Sequence, residues 1–147
     1  MQDSLVLTIF AGVAVFVVSQ FFMKFVLDPA VALKEVLGEM SHFFLLHQAK
    51  ITNAHGSDEL QQGVKRLSAQ LLAKKEAIPC YTVFSWLLGL PKETALIEAA
   101  KELNQISYHL MQNMPDPRGN SGLGSPIVIN RSMRRIQEQT GTRVSYE

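Results

Sequence analysis

Residues 4–23 read SLVLTIFAGVAVFVVSQFFM, twenty residues without a charge among them. As a helix they rise about 30 Å, the thickness of a bilayer core. Val13, Val15, Val17 and Val18 are poor helix formers in water. In lipid the backbone has no partner but itself, so helix prevails there. Lys24 follows directly and can extend its ammonium toward headgroups, with Phe21, Phe22 and Phe25 at the same level. Met1-Gln2-Asp3 has no basic n-region, and no small-x-small cleavage site follows the run. The expectation is a retained membrane anchor over residues 1–27. Lys24 and Lys34 stand downstream with no Lys or Arg upstream. The positive-inside rule then puts the N-terminus outside and the remainder in the cytoplasm of a bacterial inner membrane. The single cysteine, Cys80, fits a reducing compartment and excludes an internal disulfide framework.

Beyond the run the chain turns amphipathic. Asp28-Pro29 supplies an N-cap and an N1 proline, so either a second helix starts there or the first bends sharply. Leu33, Leu37, Met40, Phe44, His47 and Ile51 are spaced 4, 3, 4, 3, 4, an a/d seam reaching to about Ala54. That seam can form a bundle core or a homo-oligomer interface. His55-Gly56-Ser57 breaks the helix, with Gly56 as left-handed C-cap and Ser57 as the next N-cap. Leu60, Val64, Leu67 and Leu71 carry the following helix. Leu96, Ala99, Leu103, Ile106, Leu110 and Met114 carry the last long one. The predicted fold is all-α: one transmembrane helix, then a small antiparallel bundle of about three long helices over residues 28–114. Residues 115–147 read as a Pro/Gly-rich flexible linker and a short basic C-terminal segment. In it, Ile127-Val128-Ile129 form a short strand or pack on the bundle, Asn130 caps a short helix to about Gln139, and the end frays.

Between the bundle helices lies IPCYTVFSWLLGLP, residues 78–91, too short to span a bilayer. One reading makes Tyr81, Phe84, Trp86, Leu87 and Leu88, together with Lys24, a membrane-interface foot. The other plugs the end of the bundle with them.

The stretches FFMKFVLDPAVALKEVLGEMSHFFLL (21–46), RLSAQLLAKKEAIPCYTVFSWLLGLP (66–91) and IEAAKELNQISYHL (97–110) resemble a family of short bacterial and prophage-borne single-pass inner-membrane proteins with a cytoplasmic helical domain. The resemblance covers roughly residues 5–111, and its most specific element is Ile78-Pro79-x-Tyr81. Two departures stand out: Ile106-Ser107-Tyr108 replaces the family's Leu-Ser-Asn, and nothing from Met114 onward has a family counterpart. The resemblance implies architecture and location, and no activity.

Chemistry is sparse. Fourteen basic and thirteen acidic residues give a net charge of +1, too little to draw in nucleic acid as a partner. Glu39-x-x-His42 is one of the two motifs a di-iron bundle needs, so no metal site is expected. Cys80 lacks the surroundings of a cysteine enzyme and is read as a small hydrophobe. The loop at 118–125 lacks a P-loop's lysine. No catalytic residue and no cofactor is expected. Arg131, Arg134 and Arg135 are the one basic cluster, a candidate contact for anionic lipid or simply a solvated helix face. The function expected is a structural or interaction module at the membrane, partnered by the bilayer and by itself or another protein. The alternative is an oligomerising membrane effector of phage-defence or toxin-like kind.

Overall fold

The computed structural model describes residues 2–113 and 125–146, with side chains from Val6 onward. The chain is all-α. Helix α1 (Gln2–Phe22) passes through a π-helical turn (Met23–Leu27) into α2 (Asp28–Leu46), so the helical backbone is unbroken from Gln2 to Leu46. Proline at position 29 has no N–H and crowds the carbonyl of Phe25. The chain meets this by widening one turn, and the Asp28 N–H donates to Met23 O, five residues back. Asp28 therefore does not cap a new helix as expected. Its backbone is right-handed helical, and its carboxylate pairs with Lys24 at 3.1 Å.

Helix α2 ends earlier than its periodicity predicts. His47 leaves the helical region and separates a short α3 (Gln48–Thr52). The left-handed position that closes this segment is Ala54 (φ 53°), not Gly56. The methyl of Ala54 is buried in the core, which a glycine would forgo. Ser57 then caps α4 (Asp58–Glu76) by accepting from Leu60 N–H, as its sequence predicts.

Helix α5 (Tyr81–Leu88) follows a tight turn in which Cys80 is left-handed, and Gly89 (φ 61°) ends it. Helix α6 (Glu93–Gln112) packs antiparallel to α4 in a definite register. Ser107 Oγ donates to Gln61 O at 3.4 Å, Ser68 Oγ to Ala100 O at 3.0 Å, and Lys75 pairs with Glu93 at 2.7 Å. Each contact lies seven residues from the next on both helices, so one face of each helix meets the other along its length.

The largest departure from expectation is at the C-terminal end. Pro126–Thr140 form α7, a fourth long helix. Ser125, not Asn130, caps it, accepting from Val128 N–H. Ile127-Val128-Ile129 are helical, with Ile129 fully buried and Ile127 exposed. Ile129, Met133 and Ile136 join the core against α6. Beyond Gly141 the chain runs back along α2: Ser41 Oγ donates to Arg143 O, Gln48 Nε2 to Ser145 Oγ, and Val144 is buried. The segment expected to fray is therefore docked. The linker expected at 115–124 and the seam residue Met114 lie outside the described residues.

Leu33, Leu37, Met40, Phe44 and Ile51 are buried among Leu60, Val64, Leu71, Leu103, Ile106 and Leu110 of the same chain. The predicted seam thus builds a bundle core. His47 stays half-buried at the helix break, its ring 4.9 Å from that of Phe43.

Candidate membrane-facing surface

No described side chain of α1 is buried: every one from Val6 to Phe25 is exposed, and Val26 is the first buried residue after them. By length and composition this helix could cross a membrane. Phe21 and Phe25 stack at 5.6 Å on its surface at the end of the apolar run. There the first charges appear, in the Lys24–Asp28 pair.

Helix α5 stands beside this end. Phe84 meets Phe22 edge-on with ring centroids 6.0 Å apart. Lys34 Nζ of α2 donates to Leu88 O at 3.2 Å. Tyr81 is buried and its hydroxyl donates to Pro91 O at 2.6 Å. Burial, reinforced by the Glu93 carboxylate and opposed by Lys75, pushes the Tyr81 hydroxyl up to about 12. Lys75 lies buried between two carboxylates, 2.7 Å from Glu76 and 2.7 Å from Glu93. Its hydrogen bond to Glu76 and then that to Glu93 hold the ammonium above its ordinary value.

The helix within the 78–91 stretch has a covered face and an uncovered one. Tyr81, Phe84, Ser85 and Leu88, spaced 3, 1, 3, turn to the core, Phe84 and Leu88 only partly covered. Val83, Trp86 and Leu87, at i, i+3 and i+4, turn outward and are 63%, 85% and 60% exposed. Val83 was missed by sequence reasoning, although the i, i+3, i+4 spacing in VFSWL is legible. Of the six residues predicted as a membrane interface, Lys24, Trp86 and Leu87 are exposed, Phe84 and Leu88 partly buried, and Tyr81 buried.

No family model matches the chain, and no curated protein or solved structure matches it. The family resemblance therefore stands on its motifs. The structure supplies the coarser architecture that goes with it, an apolar N-terminal helix followed by a helical domain.

The basic cluster is elsewhere. Arg135 Nη1 holds Oε1 of buried Glu102 at 2.9 Å, which raises the guanidinium's pKa further, so Arg135 ties α7 to α6. Arg131 and Arg134 are exposed at the far end of the bundle. There Arg134 lines a groove of about 530 Å³ with Gln48, Thr52, Asn130, Gln137 and Ser145.

Glu39 and His42 are both exposed on α2. Among the described residues no group of three His, Cys, Asp or Glu side chains could hold a metal. Cys80 is exposed rather than packed as a hydrophobe, because its left-handed backbone turns it out of the core.

Proposed function

We propose that the chain is a single-pass membrane-anchored helical module of the bacterial inner membrane, acting as a structural or interaction protein. In this reading α1 crosses the bilayer, the N-terminus is outside, and the bundle stands in the cytoplasm. The observation that carries it is the contrast between α1 and the rest. The bundle buries its long apolar seams, whereas α1 and the turn after it leave twenty consecutive mostly apolar side chains, Val6 to Phe25, bare. A surface of that size is stable only when something apolar covers it, and its length suits a hydrocarbon core. Lys24 and Lys34 support the orientation. The groove around Arg134, lined by residues of α3, α7 and the C-terminal segment, is a place for a cytoplasmic partner to dock.

The test is fractionation. The full chain is expected to remain in the membrane pellet after an alkaline carbonate wash, and a tag placed after Glu147 should resist protease added outside intact cells. Release into the wash defeats the anchor, and cleavage of the tag defeats the orientation. The alternative, an oligomerising effector that disturbs the bilayer, draws on the exposed face of α5.

A further inference from the structure

The geometry points to a second membrane contact: α5 lies along the lipid–water interface beside the end of α1, with Val83, Trp86 and Leu87 seated between the headgroups and the upper acyl chains. This rests on the anchor reading of α1, and the experiment below separates the two.

Level comes first. Phe84 touches Phe22, two residues before Lys24, the first charge after the apolar run. So α5 sits where the apolar surface of α1 gives way to charge, the level of an interface. The second argument is the face itself. Three large apolar side chains on one side of a short helix have no cover among the described residues, and Trp86 is 85% exposed. Trp86 also lines a mostly apolar groove with Gly89 and Leu90, where Thr82, Lys92, Glu93 and Thr94 supply the polar groups. An apolar body with a polar edge is what the headgroup layer favours in tryptophan. Third, α5 is held in place. The Tyr81 bond to Pro91, the Lys34 bond to Leu88 and the left-handed Gly89 fix its orientation on the bundle. Eight residues rise only about 12 Å, less than half a hydrocarbon core, so α5 is too short to cross a bilayer. A bilayer is favoured over a second copy because the exposed face is continuous in level with α1, whose bare surface already calls for lipid.

Trp86 is the chain's sole tryptophan, so its fluorescence reports this helix alone. The full chain is reconstituted in phosphatidylcholine–phosphatidylglycerol vesicles and floated. Emission is then read with lipids brominated high on the acyl chain, with lipids brominated near its methyl end, and with aqueous iodide. The expected result is co-flotation, strong loss of emission to the shallow bromines, less loss to the deep ones, and protection from iodide. Leu87→Glu, on an exposed site, should keep flotation and helical content yet shift Trp86 emission to the red and abolish bromine quenching. Co-flotation with Trp86 open to iodide and untouched by bromine overturns the proposal while leaving the anchor intact. Protection from both quenchers means that protein covers the face, and it too overturns the proposal. Stronger quenching by the deep bromines does the same. Failure to float removes the anchor reading and this proposal with it.

Discussion

Among the described residues two that are not glycine carry left-handed backbone, and they differ in what they gain by it. Ala54 spends its methyl in the core, whereas Cys80 is exposed and gains no packing. A side chain in that region costs about 1–2 kcal/mol, partly recovered by glycine's larger unfolded-state entropy. Cys80→Gly is therefore expected to raise stability by about 0.5–1 kcal/mol in chemical denaturation, and a decrease would contradict the strained turn. Tyr81 and Lys75 make the same end of the bundle sensitive to alkali. Both groups hold their protons more tightly folded than unfolded, from ordinary values of 10.0 and 10.5. Such a contribution is complete below the unfolded value and is lost as pH rises through the folded one. Stability should therefore fall above pH 10.0, with Tyr81 contributing on the order of 1 kcal/mol once solvent screening is allowed for. Phenolate absorbance should show one tyrosine titrating late, near 12, and Tyr81→Phe should remove that phase.

Between helices, packing sets which substitutions the bundle tolerates. A Cβ placed on Gly63 of α4 would lie 2.5 Å from the ring of Phe43 on α2. That ring cannot swing away freely, because Phe44 stands edge-on at 6.0 Å and His47 lies at 4.9 Å. Gly63→Ala should gain about 1 kcal/mol of helix propensity and lose more to overpacking, for a net cost of about 1–2 kcal/mol. In a Phe43→Leu background the same change should turn stabilising by about 0.5–1 kcal/mol, because the clash is gone and the propensity remains. Equal effects in both backgrounds, measured by denaturant melts of the four proteins, would refute the contact. The π-turn before Pro29 is likewise a local answer to a local problem, since it lets α1 run into α2 without a break.

In the molecule as a whole, α7 is structural rather than a tail. Ile129, Met133, Ile136 and Val144 are buried with it. At about 1.5–3 kcal/mol for each such side chain, their burial is worth roughly 6–12 kcal/mol, comparable to the entire stability of a small domain. A chain ending at Gly124 should lose its cooperative melt. Retention of a wild-type transition would show that α7 is dispensable. The far end that α7 builds with α3 carries the polar groove around Arg134, while the α5 end carries the exposed apolar face. The two ends of the bundle are thus chemically distinct.

Local pattern alone determined the apolar span, the core positions of α2, α4 and α6, the Ser57 cap and the punctuation at Gly89. These are near-neighbour properties: helical spacing decides which side chains share a face, and caps act within one turn. Only the tertiary structure decided which apolar faces are covered. Ile129, Met133 and Ile136 are spaced like any amphipathic helix, yet their burial depends on α6, a separate helix that ends at Gln112. Residues 81–88 hold apolar side chains on both faces, so the spacing that groups Val83, Trp86 and Leu87 does not say whether the bundle covers that face or the one with Tyr81 and Ser85. Arg135 looked like its neighbours Arg131 and Arg134 until Glu102 was seen beneath it. Burial is a property of two surfaces meeting, and one strand of sequence describes only its own.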